Sequence, residues 1–172
     1  MKSQVVLAVA LVVSGWGMSH AQEGVLGRIG PSGEFLELEH RVDGHVVKNY
    51  LPLHQNGGVR YFSAGVGLEE RQAAYPPFAL KLVFTAGGKP FVAGVDVTIQ
   101  PTQGGTVIKI PREQVEGPWL FLDLPVGRYH IAATYADRKQ ELHNVAVTAG
   151  KQQTLYLRWV EDQGRGARIA SE

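Results

Sequence analysis

The sequence predicts an all-β sandwich of about seven strands with one short helix. Apolar residues occupy alternate positions in several short segments, which is the period of a strand that buries one face. Turn residues separate these segments about every ten residues, as is typical of β-sandwich proteins. The clearest segment is 128–135, where Tyr129, Ile131, Ala133 and Tyr135 are predicted to point inward. The pattern indicates an architecture and leaves the chemistry open.

The amino-terminal segment predicts export. Lys2 precedes an uncharged apolar run at residues 5–13, and the small residues Ser19 and Ala21 stand where a signal peptidase requires them. The apolar run is too short for a hydrocarbon core about 30 Å thick, which needs roughly 20 residues. An uncleaved anchor is the alternative. We therefore expect residues 1–21 to be a cleaved signal peptide and the protein to act in the bacterial periplasm.

After residue 21 the sequence divides into a short region at residues 22–57, a longer region at 58–160 and a tail at 161–172. Asp43-Gly44 is a hairpin turn signal in the short region. The tail is rich in glycine and charged residues without apolar periodicity, which is typical of disorder. We expect an N-terminal β appendage or extra hairpin at residues 22–57, the main sandwich at 58–160 and a disordered tail at 161–172.

The main region begins with a helix pattern. Residues 68–75 combine good helix formers with acidic residues in the first turn, and Pro76-Pro77 follows as a stop. Seven segments with the strand period come next. These predicted strands are residues 78–85, 95–100, 107–110, 119–124, 128–135, 142–147 and 155–159.

Composition excludes several classes of protein. The 172 residues include 17 Lys+Arg and 16 Asp+Glu, and loss of Lys2 with the signal peptide would balance the two signs. A balanced chain offers no basic surface for nucleic acid or for an anionic membrane. The absence of cysteine excludes a disulfide-stapled scaffold and a lipid-anchored cysteine.

The residues from about Arg60 to Trp159 resemble a known group. Together they are similar to exported Gram-negative proteins with a carboxypeptidase regulatory-like domain, in the transthyretin-like (prealbumin-like) superfamily. The resemblance implies a transthyretin-like or immunoglobulin-like sandwich and a non-catalytic accessory or binding role. The segments that carry it are GVGLEER at 65–71, KLVF at 81–84, VDVTI at 95–99, GPWL at 117–120, LPVGRY at 124–129 and VAV at 145–147.

No pattern in the chain assembles an active site. Another branch of the superfamily hydrolyses 5-hydroxyisourate and ends in Tyr-Arg-Gly-Ser, whereas residues 156–159 here read Tyr-Leu-Arg-Trp. Ser32 and Ser63 lack the Gly-x-Ser-x-Gly elbow of a serine hydrolase. The adjacent Glu69 and Glu70 point away from each other on a helix and form no acid–base couple. We therefore expect a protein that is not an enzyme.

Histidines are the candidate metal ligands. His40 and His45 flank the Asp43-Gly44 turn, and His54 follows nearby, so the three imidazoles form a candidate copper or zinc site. Surface histidines without a metal are the alternative. His130 and His143 lie at outward positions of two predicted strands, where they could pair across the strands, and a metal at this pair is the alternative to surface histidines without one.

Aromatic residues are the candidate contacts for a partner protein or a glycan. We expect Tyr50, Tyr61 and Phe62 to lie in looped regions, where an exposed ring would stack on a sugar or anchor a partner. Trp159 ends a predicted strand and is the third candidate, after Tyr50 and Tyr61. A place in the core is the alternative for Trp159.

The Gly65-Val66-Gly67 segment invites comparison with a phosphate-binding loop. Backbone N–H groups before a helix favour anions, but carboxylates occupy the first turn of the predicted helix and would repel a phosphate. We therefore interpret this segment as a structural turn.

These observations favour a non-catalytic periplasmic module that binds an envelope protein or a glycan. Pairing of an exposed sheet edge with a partner strand, or docking through the loops at one end of the sandwich, would supply the contact. The first alternative is a periplasmic copper- or zinc-binding protein that uses the N-terminal histidines. The second is a small hydroxyisourate hydrolase. We expect no cofactor, no nucleic-acid partner and no membrane span after signal cleavage.

Overall fold

The computed structural model describes residues 24–87 and 91–160. The predicted signal peptide and the predicted disordered tail lie outside these ranges. Within them the chain forms twelve β-strands, one short α-helix and one turn of 3₁₀ helix. The all-β sandwich is confirmed.

The strands form three sheets, which we call A, B and C. Sheet A has the order β1-β2-β3, sheet B the order β12-β6-β9-β5-β4 and sheet C the order β11-β10-β7-β8. Sheet A contains β1 (Leu26–Ile29), β2 (Phe35–Val42) and β3 (His45–Pro52). Sheet B contains β4 (His54–Asn56), β5 (Val59–Ala64), β6 (Leu80–Ala86), β9 (Trp119–Leu122) and β12 (Gln153–Trp159). Sheet C contains β7 (Asp96–Pro101), β8 (Ile108–Ile110), β10 (Gly127–Tyr135) and β11 (Arg138–Val147).

The main core lies between sheets B and C. Leu80, Leu82 and Phe84 of β6 are fully buried there, as are Ile99 of β7 and Ile131 and Ala133 of β10, while Tyr135 is partly buried against the same core. Two hydrogen bonds connect the sheets at their edges. Asn56 Nδ2 donates to Lys109 O over 2.9 Å, and Trp159 Nε1 donates to Arg138 O over 2.8 Å. The main sandwich is thus joined along both sides.

A second core lies between sheet A and the other face of sheet B. Leu36 and Leu38 of β2 pack there with Phe62 and Phe121, whose rings stack at 4.6 Å. Sheet A is therefore a third layer with its own buried contacts. The Asp43-Gly44 hairpin turn is confirmed, since both residues have positive φ angles and the flanking strands pair.

Two local predictions are corrected by the structure. Tyr50 lies in β3 of sheet A, and Tyr61 and Phe62 lie in β5 of sheet B, so none of the three lies in a loop. Both faces of β5 are buried because sheet B lies between two layers, so the strand shows no simple alternation. The helix α1 spans Leu68–Gln72 and is shorter than predicted, since Ala74 instead pairs with β1: its amide donates to Val25 O and its carbonyl accepts from Gly27 N.

Candidate metal centre

A β-bulge in sheet C creates the candidate site. Strands β10 and β11 pair antiparallel, but the register shifts so that Tyr129 lies opposite Val145 while Ile131 lies opposite Leu142. Asn144 has a φ of +56°, a left-handed conformation that asparagine tolerates better than most residues. The extra residue of the bulge brings His143 of β11 beside His130 of β10.

The two imidazoles meet edge to face on the outward side of sheet C. Their Nδ1 atoms lie 2.9 Å apart, and their ring centroids are 4.1 Å apart at an interplanar angle of 74°. One Nδ1 accepts the hydrogen bond that the other donates, and the tautomers of the two rings decide which one accepts. A metal bound at the accepting nitrogen would replace this hydrogen bond.

The Glu141 carboxylate completes a group of three potential ligands. Its Oε1 lies 3.8 Å from His130 Nε2, and its Oε2 lies 3.9 Å from His143 Nε2. One ligand atom from each of the three side chains lies within 4.8 Å of the others. In a tetrahedral zinc site with bonds of 2.0–2.2 Å, ligand atoms are about 3.3 Å apart. A small adjustment of exposed side chains would bring the three atoms to that spacing.

The chemistry of this ligand set suits a transition metal. Imidazole nitrogen favours zinc, copper, nickel and iron, and one carboxylate adds negative charge. Three protein ligands leave at least one coordination position open. Among the residues that the structure describes, His130, Glu141 and His143 are the one group of at least three such side chains.

Lys139 is the nearest cation to the Glu141 carboxylate. Its ammonium nitrogen forms an ion pair with Glu141 Oε1, in direct contact. The hydrogen bond and the charge of Lys139 lower the pKa of the Glu141 carboxyl, and the charges of His130 and His143 lower it further. The carboxyl group is therefore available as an anionic ligand over a wide pH range.

A polar groove of about 280 Å³ adjoins the site on the same face of sheet C. Its other walls come from the outward positions of β7 and β10. Asp96 lies in this groove and is held by Arg112, whose guanidinium approaches Asp96 Oδ2 to 2.7 Å and whose amide donates to Oδ1 over 3.0 Å. The remaining lining residues are Thr98, Gln100, Ala132, Thr134, His130, Lys139 and Glu141.

The histidines predicted as a metal site are only partly brought together. His40 in β2 and His45 in β3 flank one hairpin, and the register places them on the same face of sheet A. His54 lies in β4 of sheet B, where its ring stacks on Tyr61 at 5.4 Å. These three are not among the described side chains that gather as a group of three ligands. Their metal binding stays a prediction.

Burial corrects the predicted partner contacts. Tyr61 is 2% exposed and donates its hydroxyl hydrogen to Gln114 Oε1, while Trp159 is 1% exposed. Both side chains belong to the main core, because each fills the space between sheets B and C. Tyr50 is 55% exposed and is the one of the three candidates that a partner can reach.

The glycine segment before α1 is occupied by its own side chains. Glu70 Oε2 accepts hydrogen bonds from the amides of Gly65 at 2.6 Å and Val66 at 3.0 Å. Arg71 donates from Nε to Gly65 O and from Nη2 to Val66 O. The carboxylate already takes the place that a phosphate would need, which agrees with the structural interpretation.

The serine side chains have structural partners. Ser63 Oγ accepts a hydrogen bond from Gly117 N at 2.8 Å and lies 3.2 Å from Gly117 O. Ser32 Oγ lies 3.3 Å from the amide of Glu34, in a turn. Neither hydroxyl has a histidine among these contacts. The geometry of the two serines is that of structural hydrogen bonds.

Sequence reasoning placed His130 and His143 on the same face but did not include Glu141. The signal was present in the spacing of apolar residues: Leu142 and Val145 both face inward, three positions apart, and an uninterrupted strand cannot do this. The break in the period of two predicts a bulge at residues 143–144.

The fold and this cluster define a three-layered β-sandwich protein with two imidazoles and one carboxylate on an open sheet face. No protein-family model, curated protein or solved structure matches the chain. None of the helices in residues 24–87 and 91–160 has the length and apolar character needed to cross a membrane.

Proposed function

We propose that this protein is an exported, non-catalytic binding module that holds a divalent transition-metal cation with His130, Glu141 and His143. The observation that carries the proposal is the convergence of these three side chains, each from the outward face of β10 or β11. Zinc and copper are the metals that this ligand set suits best.

The backbone around the cluster supports a preformed site. The β10–β11 ladder pairs residues on both sides of the bulge, so the strands that carry the ligands are held from both directions. Asn144 supplies the left-handed residue of the bulge. Ligands on paired strands lose less conformational freedom on binding than ligands on loops, which favours affinity.

A second candidate function is contact with an envelope protein or a glycan through sheet A. Tyr50 and Phe35 form an edge-to-face pair with ring centroids 6.4 Å apart, and both rings are more than two-fifths exposed. Exposed aromatic rings of this kind supply the contact area at many binding surfaces. This surface lies on sheet A and is independent of the metal cluster on sheet C.

Calorimetric titration and thermal unfolding of the purified protein with Zn(II) and Cu(II) test the proposal. A metal that binds only the folded state, at 100 times its dissociation constant, adds about 2.7 kcal/mol of stability. For a domain of this size, that corresponds to a rise in melting temperature of roughly 5–11 °C.

Variants distinguish the His130–Glu141–His143 cluster from the N-terminal histidines as the metal site. We expect His143→Ala and Glu141→Gln to lose most of the metal-induced shift, and the matched variant His45→Ala to keep it. If His45→Ala abolished the shift and His143→Ala did not, the N-terminal set would be the metal site and the proposal would be wrong. The absence of any shift or heat with either metal would also overturn it.

A further inference from the structure

We propose that Lys139 is a built-in competitor for the metal site, because its ammonium group occupies the Glu141 carboxylate until a cation displaces it. The inference rests on the proposed metal-binding function and concerns the regulation of that same site. Lys139 would then set both the affinity and the selectivity of the site without being a ligand.

The competition concerns one particular oxygen atom. Lys139 Nζ contacts Glu141 Oε1, and the same Oε1 lies 3.8 Å from His130 Nε2. A metal bridging His130 and Glu141 in this arrangement would use this oxygen, which the ammonium already contacts, since Oε2 lies on the side of His143, 3.9 Å from its Nε2. The two cations therefore compete for one position.

The strand geometry keeps the competitor in place. Lys139 and Glu141 are two residues apart on β11, so both side chains project from the same face of sheet C. Their partners across the ladder are Thr134 and Ala132, which are small and leave the outward face open. No backbone movement is needed for the ammonium to leave Oε1, because the Lys139 side chain is 58% exposed.

The same competition would affect metals unequally. Manganese and other oxygen-preferring cations depend on the carboxylate, which is the ligand that Lys139 covers. Zinc and copper bind imidazole well and would still find His130 and His143. Lys139 would therefore bias the site toward metals that prefer nitrogen ligands.

The test compares Lys139→Gln with the wild-type protein in titrations with Zn(II) and, separately, with Mn(II). We expect the variant to bind Zn(II) about three- to tenfold more tightly, since loss of an exposed ion pair and loss of a screened repulsion each contribute a factor of a few. The gain for Mn(II) should be larger. Lys139→Arg keeps the charge and should resemble the wild type.

Lys151→Gln is the matched control, because it removes one exposed positive charge just before β12 and lies outside the cluster. Its affinity for Zn(II) should equal that of the wild type. If Lys139→Gln and the wild type bound Zn(II) equally, the inference would be overturned while the proposed function stood. If neither bound Zn(II) or Cu(II), both would be overturned.

Discussion

Replacing Gly117 with alanine tests the close approach between β5 and the segment that leads into β9. A Cβ atom at Gly117 would lie 2.3 Å from the carbonyl oxygen of Ala64 and 2.7 Å from its carbonyl carbon. Both neighbours are backbone atoms, so no side-chain rotation relieves the clash. The Gly117 amide also donates to Ser63 Oγ, which ties the same two segments together.

The expected cost follows from the displacement that the new methyl group requires. Non-bonded carbon atoms pack at about 3.5–4.0 Å, so the two backbones would have to separate by roughly 1 Å. Overpacking of this kind costs about 1–3 kcal/mol, and a weakened hydrogen bond to Ser63 adds about 1 kcal/mol. We therefore expect Gly117→Ala to destabilise the protein by about 3 kcal/mol, which lowers the melting temperature by roughly 6–12 °C.

Thermal and urea unfolding measure this loss, and Gly24→Ala is the matched control. A Cβ at Gly24 would have no neighbour within 4 Å and Gly24 has no positive φ, so its melting temperature should stay within about 1–2 °C of the wild type. If Gly117→Ala unfolded at the same temperature as Gly24→Ala, the close contact with Ala64 would not exist and the reasoning would be refuted.

Three further predictions concern the bulge, the buried tyrosines and the metal. Asn144→Val should destabilise the protein by about 1–2 kcal/mol and weaken metal binding, because a β-branched residue resists the left-handed backbone conformation. Asn144→Gly should be near neutral, because glycine adopts that conformation readily. Equal unfolding curves for the two variants would contradict this prediction. Burial raises the pKa of Tyr61, Tyr75 and Tyr129, and for Tyr75 the charge of Glu70 raises it further. The unfolded tyrosines ionise near pH 10, whereas the folded ones stay protonated at that pH. The contribution of the three buried phenols to the free energy of unfolding is therefore present below about pH 10 and is lost as the pH rises above it. Urea unfolding between pH 8 and 11, followed with phenolate absorbance, should show the decline, and early ionisation of all six tyrosines in the folded protein would contradict it. Acidification should release Zn(II), since protons and the metal compete for the same imidazole lone pairs, and an affinity that does not fall with decreasing pH would argue against histidine ligands.

Local periodicity was sufficient to predict much of the sandwich. The alternation around Tyr129 and Ile131 predicted an inward face that the structure confirms, and Leu80, Leu82 and Phe84 behave likewise. These predictions succeed because the period of two depends only on which side of a strand meets the core.

The same reasoning could not assign strands that are buried on both faces or pairings between distant segments. Phe62 packs against sheet A while Tyr61 packs toward sheet C, so β5 lacks the alternation that marks a half-buried strand. Strand β12 pairs parallel with β6, with Leu155 opposite Leu82. No residue pattern within either strand predicts whether the pairing is parallel or antiparallel. Pairing depends on contacts between residues far apart in the chain.

The sequence by itself determined the β-sandwich class, the hairpin at Asp43-Gly44 and the outward direction of His130 and His143, since each depends on neighbouring residues. The tertiary structure alone decided that sheet A forms a third layer and that Glu141 lies between the two imidazoles and Lys139. The physical reason is that the period of a strand specifies only the face of the sheet on which each side chain lies. The distances between side chains in a site also depend on the register between the paired strands. Here the bulge at Asn144 sets that register.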